Sequence, residues 1–416
     1  MDNASFPRAL LLLEQGRYVQ AEQELRNVLA GHPENAGGLT LLAIALSEQK
    51  RLDEAEALVN RAIALDPADA HVHYVKAQIF YKQDKDQEAE KEIREAIRLN
   101  PENAHYYGIL AAVLLDRKEY EDALKAAERG LAIDADHLTC LNLRSTILIK
   151  MNRKAQAFES IDRALHMDPE NAMSHTTYGW NHLEKGNHRQ ALHHFQEALK
   201  REPNSEFARS GMVQALKARY LIYRLMLKYF FWISNQKRGM QWAIIIGFYV
   251  IFKVLRTFMD KNPEWTPVLL PLIILYIIFA LSTWFISPLL NLILRFNSYG
   301  RYVLSHEERM ASHFTAVALV AGIAGAFGFV ATQASGFAAL GIYGLTMMVP
   351  LSQFYLQAKK NKQLMLRAFI VLLGIIGAVG VAAFFAGHPA ADRIAIVYGV
   401  GFFAFQWIAN ALMTKN

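Results

Sequence analysis

With 416 residues the chain is too long for one core of ordinary size, and its halves differ in charge: residues 1–205 hold 25 Lys and Arg against 32 Asp and Glu, whereas residues 206–416 hold 19 against 6. The basic excess lies beside long apolar runs, where it meets anionic lipid headgroups, so no nucleic-acid partner is expected. The one cysteine, Cys140, excludes an internal disulfide framework and suits a reducing compartment. No secretory leader is expected at the start, where Ala9 to Leu13 is a short apolar patch inside a helical pattern, and no glycine follows Met1 for myristoylation.

From residue 2 to 205 the chain repeats. Pro33, Pro67, Pro101, Pro169 and Pro203 fall on multiples of a 34-residue step, with Ala135 alone breaking the column. Ala21, Ala55, Ala89, Ala123, Ala157 and Ala191 form an unbroken second column in the same register. Six units follow: 2–35, 36–69, 70–103, 104–137, 138–171 and 172–205. A small residue recurs at Ala9, Ala43, Ala77, Ala111, Ser145 and Gly179, where two helices can approach closely. Leu25, Val59, Ile93, Ala127, Ile161 and Phe195 supply the surface for the next hairpin. Segments such as Leu65-Asp66-Pro67 and Met167-Asp168-Pro169 end helices, because the residue before proline is driven out of the α region.

These columns resemble the tetratricopeptide repeat (TPR) family, which has a Trp, Leu, Gly, Tyr, Ala, Phe, Pro series at fixed offsets. The family's Trp position holds Ser5, Leu39, His73, Tyr107, Leu141 and His175, and unit four departs further, with Gly130 for the second alanine and Ala135 for proline. The resemblance implies an all-α, right-handed solenoid of six helical hairpins plus a capping helix, with first helices lining a concave groove. The groove residues it implies are His71, Tyr74, Gln78, Tyr81, His105, Asn142, Thr146, Thr176 and Trp180, aromatic and amide groups suited to an extended peptide or a helix. Thr40, Ile44, Tyr74, Gln78 and Ala112 replace the Lys and Asn with which family members grip a terminal carboxylate, so that grip is not expected. His175, His182, His188, His193 and His194 crowd unit six without a recognisable ligand spacing, and no metal or other cofactor is expected.

Residues 206–238 read as a seventh first helix that fails to turn, a capping helix extended into an interfacial one. Gln214, Lys217, Arg224 and Lys228 fall on one polar stripe. Arg219, Arg224, Lys228, Phe230, Phe231, Trp232, Lys237 and Arg238 are the candidate membrane-interface residues, basic and aromatic groups suited to a headgroup layer.

Residues 239–416 contain six stretches long and apolar enough to span: 240–259, 268–287, 312–332, 337–356, 366–386 and 393–413. Lys253 and Arg256 burden the first, near an end from which they can snorkel. With six spans and cytoplasmic repeats, the inner flanks hold Lys217 to Arg238, then Arg295, Arg301 and Arg309, then Lys359, Lys360, Lys362 and Arg367, then Lys415. The outer loops hold only Lys261 and Arg393, so the positive-inside bias favours six. Ser287-Pro288 is expected to start a short interfacial helix to Phe296, and Ser305 with Glu308 a capping box. Pairs of small residues four apart, Gly322/Ala326 and Gly374/Ala378, permit close helix crossing.

No phosphate loop or nucleophile elbow occurs. His306-Glu307-Glu308-Arg309-Met310 lacks the second histidine of a zincin helix, and Gly399, Gly401 and Ala404 lie within a span. No catalytic residue is therefore assigned. The sequence reads as a multi-pass membrane protein of the cell (inner or plasma) membrane, a scaffold whose cytoplasmic repeats recruit a protein partner, with its C-terminus also cytoplasmic. The alternative is a transporter or channel using Lys253, Arg256, Gln353 and Gln406, with the repeats regulating it; a lipid-directed enzyme using loop residues such as His388 and Asp392 is third.

Overall fold

A computed structural model describes residues 5–236, 238–296, 304–355 and 360–413, all of it helix, turn and loop. Lys237, Arg301, Lys359 and Lys415 lie outside the described residues, as do the side chains of Arg238, Lys360 and Asn410. The chain divides into two compact units, residues 1–185 with 197–203, and residues 186–196 with 204–416.

Twelve helices carry the repeat: α1 (Ser5–Glu14), α2 (Tyr18–Gly31), α3 (Ala36–Glu48), α4 (Leu52–Leu65), α5 (Ala70–Lys82), α6 (Asp86–Leu99), α7 (Ala104–Asp116), α8 (Tyr120–Ile133), α9 (Leu138–Lys150), α10 (Lys154–Met167), α11 (Ala172–Lys185) and α12 (His188–Arg201). In the first unit α3, α5, α7 and α9 each pack on their own partner, on the preceding second helix and on the next first helix. The alanine column and the column from Leu25 to Phe195 are wholly buried, as the repeat requires.

Two further columns govern the turns. Asn35, Asp69, Asn103, His137 and Ser205 cap the first helices, their side chains accepting a backbone N–H of the first turn. Asn171 holds the same place and accepts from the Ser174 N–H at 2.9 Å. Between the helices of each pair, Gly16, Lys50, Asp84, Lys118, Asn152 and Gly186 all adopt positive φ, from 60° to 92°. This second column is geometric, because Lys and Asp share no chemistry with Gly there and tolerate the left-handed region only because the hairpin imposes it. Across successive turns Gln49 and Arg51 bond Glu22, Gln83 and Lys85 bond Glu56, and Arg117 bonds Glu90, so one carboxylate position recurs every 34 residues.

The departure in unit four has a local explanation. A Cβ at residue 130 would lie 2.6 Å from the Cys140 Sγ and 3.3 Å from Tyr107 Cβ, so the glycine makes room for the thiol. Where Ala135 replaces proline, the cap is an imidazole: His137 Nδ1 accepts from the Cys140 N–H at 3.3 Å. Burial pushes the Cys140 thiol up to about 12, so it is a packed core group rather than a nucleophile.

In the second unit, residues 206–234 are not one extended helix. Helix α13 (Glu206–Lys217) stops, Tyr220 is extended, and α14 (Leu221–Ser234) begins. Arg224 reaches back to the turn that follows, its Nε donating to Ala218 O at 3.1 Å and its Nη2 to Arg219 O at 3.4 Å. The expected polar stripe is therefore broken. Lys217 is buried and donates to Ser287 Oγ at 3.2 Å, and Gln214 accepts from the Tyr223 hydroxyl. Burial pulls the Lys217 ammonium down to about 8, against the pull of Glu308.

Beyond these lie α15 (Arg238–Lys261), a single 3₁₀ turn at Pro263–Trp265, α16 (Thr266–Phe296), α17 (His306–Thr332), α18 (Ser335–Ser352), α19 (Lys360–Phe385) and α20 (Ala391–Met413). Each expected apolar stretch falls mainly on one of these helices, although that of 337–356 runs beyond the end of α18 to a residue outside those described; among the described residues four helices, α15, α17, α18 and α19, are long and apolar enough to cross a membrane. The separate helix expected from Pro288 does not form. Helix α16 runs through Pro271 and Pro288, and Ser287 spends its hydroxyl on Lys217 instead of a cap. The capping box is present: Ser305 Oγ accepts from the Glu308 N–H at 3.1 Å, and Glu308 Oε2 from the Ser305 N–H at 2.9 Å. Helices α17 and α18 meet backbone to backbone, for a Cβ on Gly325 would lie 2.2 Å from Gly341 N and one on Gly344 2.3 Å from Gly322 N.

Gly130→Ala is expected to cost about 1–3 kcal/mol through overpacking, although alanine is the better helix former. Adding Cys140→Ala should recover most of that loss in urea denaturation followed by circular dichroism. An equal loss in both variants would show that the thiol is not what the methyl group meets.

Candidate functional site

The expected groove residues lie on α5, α7, α9 and α11, the first helices of four successive pairs. The structure joins three of them: His71 stacks on Tyr74 with centroids 5.8 Å apart, and Gln78 Nε2 donates to Tyr74 Oη at 2.8 Å. Tyr106, absent from the expected set, extends this cluster across to α7, its ring 5.1 Å from that of Tyr74. A signal existed in the spacing, since residues 74 and 106 both lie on inner helices near one repeat length apart. Tyr81 reaches the next repeat separately, donating to Asp116 Oδ2 at 3.0 Å.

His105 is exposed and meets His137 edge-on, with His105 Nδ1 3.0 Å from His137 Nε2. Since His137 Nδ1 accepts the cap bond, its Nε2 carries the proton and donates to His105. Burial pulls the proton affinity of His137 down, with His105 acting in the same direction and Asp134 against it.

The remaining residues divide by exposure. Asn142 and Thr176 are buried. Asn142 Nδ2 donates to Ser174 Oγ at 3.1 Å across the repeat boundary while its Oδ1 has no hydrogen-bond partner among the described residues, and Thr176 bonds back to Ala172 O at 2.8 Å. Thr146 and Trp180 are half-buried, the former bonded to Asn142 O at 3.0 Å. The accessible part of the expected groove is thus His71, Tyr74, Gln78, Tyr81, His105, Thr146 and Trp180. Burial raises the Tyr74 and Tyr81 hydroxyls and lowers the His71 imidazole, so all three are neutral at pH 7.

Two histidines of unit six, His175 and His182, take structural places. His175 Nε2 bonds Pro169 O at 3.0 Å, as His73 Nε2 bonds Pro67 O at 3.3 Å in an earlier helix pair. His182 stacks on Tyr178 at 4.8 Å and faces Phe158 at 4.9 Å. Among the described residues no group of three His, Cys, Asp or Glu side chains is placed to hold a metal ion.

Of the interface candidates in the α13–α14 turn and on α14, Arg219, Lys228, Phe230 and Trp232 are exposed, and Arg224 and Phe231 half-buried. Tyr223, Met226 and Leu227 form the inner face of α14. That face meets α16 through the Tyr229 and Phe279 rings, 5.2 Å apart, and a Ser282 to Met226 Sδ contact of 3.7 Å. The other face presents Leu221, Ile222, Leu225 and Trp232 to the outside. For the transport alternative, Lys253 and Arg256 are exposed on α15, whereas Gln406 is buried, and no hydrogen bond joins the four residues it names among those described.

Family models described as tetratricopeptide repeat match residues 12–79, 74–137 and 143–205. Residues 12–205 are tetratricopeptide repeats. Such repeats are protein-interaction scaffolds and generally not catalysts. No family model matches the C-terminal part, and no curated protein matches the chain. Among solved structures, YrrB, described as a TPR protein with an unusual peptide-binding site, is 21% identical over 44% of this chain and 95% of its own, with a TM-score of 0.33. PilF of Pseudomonas aeruginosa is 21% identical over 50% of this chain and 95% of its own, TM-score 0.41. A thermophilic TPR protein of Thermus thermophilus is 18% identical over 44% of this chain and 98% of its own, TM-score 0.41.

One pH dependence follows from this packing. Burial, aided by Lys185 and opposed by Asp162, holds His182 down at about 4, against 6.5 for an unperturbed imidazole. The unfolded TPR chain takes up a proton that the folded one refuses, so the stability contributed is full above about pH 6.5 and is lost as the pH falls towards 4. Urea midpoints at pH 7.5 and 4.5 should converge in His182→Gln relative to the parent; an unchanged difference would contradict the assignment.

Proposed function

We propose that the protein is a membrane-anchored adaptor, in which α15–α20 hold the TPR array at a bilayer and the array recruits a protein partner through its first helices. The observation that carries the reading is the accessible line His71, Tyr74, Gln78, Tyr81 and His105, aromatic and amide groups on neighbouring repeats. Such groups suit an extended peptide or a helix, whose main-chain groups seek hydrogen bonds and whose side chains stack. Acidic charge in the repeats favours a partner segment without excess negative charge.

Anchoring rests on the four long apolar helices and on outward-facing Val317, Val320, Phe327, Leu372 and Ile375, a surface too apolar to face water. Reading α16 and α20 as further spans gives six. Six spans put Arg295, Arg309, Lys362 and Arg367 on the side of the repeats, the cytoplasmic one, and leave Lys261 and Arg393 opposite.

A second reading has one specific observation in its favour. A cavity of about 770 Å³ lies among α16–α20, lined by Trp284, Tyr343, Thr346, Gly377, Tyr398 and Phe402 among others. Its wall is almost wholly apolar, which suits a lipid chain or other apolar cargo rather than an ion.

Recruitment is tested with the full chain in lipid nanodiscs, comparing proteins retained by the parent, Tyr74→Ala and the double variant Gln78→Ala with Tyr81→Phe. A partner retained by the parent and lost at least tenfold by variants of unchanged melting temperature is expected. Equal retention by all three would place the contact elsewhere, and no retained protein would remove the adaptor reading.

A further inference from the structure

The start of α12 and the α13–α14 turn enclose a recess of about 560 Å³ within the second unit, lined by His188, Arg189, Leu192, Arg219 and Arg224. Every polar group in that lining is basic. Several arginines in the repeats are paired with carboxylates, as Arg51 is with Glu22 and Glu54 and Arg117 with Glu90. Among the described residues no carboxylate pairs with Arg189, Arg219 or Arg224. Arg224 is fixed by its two bonds to Ala218 O and Arg219 O, which leave Nη1 unused. Lys228 stands beside the recess, its Cε 3.2 Å from where a Cβ on Gly186 would lie. Burial and the three guanidinium groups, Arg224 foremost, lower the proton affinity of His188, against the pull of a backbone hydrogen bond at Gly186.

Like charges held together in a recess repel, and an anion removes the repulsion. Guanidinium forks match the tetrahedral oxygens of phosphate, and an imidazole at its lower proton affinity gains a proton when a dianion arrives. We propose that this recess is a binding site for a phosphate-type oxyanion, held by Arg189, Arg219 and Arg224 with His188 as the fourth donor. The oxyanion is either a free phosphoryl group or a phospholipid headgroup. Exposed Leu221, Ile222 and Leu225 on the adjoining helix give a lipid's acyl chains an apolar surface next to the recess. The headgroup form deepens the membrane reading above and rests on it; the free form does not.

The test uses the full chain in phosphatidylcholine nanodiscs, titrated by calorimetry with inorganic phosphate and, separately, with dihexanoyl phosphatidic acid against dihexanoyl phosphatidylcholine. Saturable binding is expected, weakened at least tenfold in Arg189→Gln combined with Arg219→Gln, two exposed side chains that cap no helix, and weakened by salt. Binding of phosphate alone identifies a free phosphoryl site and survives failure of the membrane reading. Binding of phosphatidic acid without phosphate identifies the headgroup form. No saturable binding of either, or equal binding by the double variant, overturns the proposal. Arg224→Lys serves as a check on the fixed fork: it should weaken binding while leaving the melting temperature within a few degrees, and full binding by it would contradict the role given to Arg224.

Discussion

No hairpin in this array can bury its own apolar face. Each pair of helices has one surface closed by the small-residue contact between its helices and another, carried by the column from Leu25 to Phe195, that only a neighbour can cover. Stability is therefore a sum of interfaces, and every interface must recur at the same place. The caps, the left-handed turn residues and the carboxylates at Glu22, Glu56 and Glu90 all follow, because each fixes the angle at which one hairpin delivers the chain to the next. Their individual contributions are modest, since exposed ion pairs contribute about 0–1 kcal/mol and a cap about 1 kcal/mol. Their phase is what lets the large apolar columns meet.

Where the repeat departs from its pattern, several substitutions occur together and compensate. Gly130 yields space to Cys140, and His137 replaces the usual short polar cap, its imidazole tied to His105 on the adjacent first helix. Beside Ala135 the turn is held by a local network of hydrogen bonds. That network opens on the accessible face of the array, so a structural repair and a candidate binding residue share one side chain.

The apolar and proline columns were legible in the sequence because burial demands one narrow class of residue at each place. The turn column was not, because Gly, Lys, Asp and Asn share a backbone conformation there and no side-chain chemistry. The break between α13 and α14 was hidden for a related reason: Ala218, Arg219 and Tyr220 contain no glycine or proline, and the polar spacing runs on through them. The turn after α13 is held by a side chain four residues into the next helix, Arg224, a contact that periodicity cannot show. Pro288 misled in the opposite sense, since a proline that would open a helix at the surface is carried inside one when neighbours support it. Of the candidate site, the aromatic residues were legible by position on the inner helices. The burial of Asn142 and Thr176 depended on the depth of the next repeat, which no single column reports.

On the proposed reading, one chain joins a water-facing repeat array to a lipid-facing set of helices. Spin-label accessibility on a Cys140→Ala background checks this, with single cysteines in nanodiscs at Lys125, exposed on α8, and at Val320 and Ile375, exposed on α17 and α19. Strong relaxation by a water-soluble nickel chelate and little by oxygen is expected at residue 125, with the reverse at 320 and 375. Equal access of the nickel chelate to all three positions would contradict it.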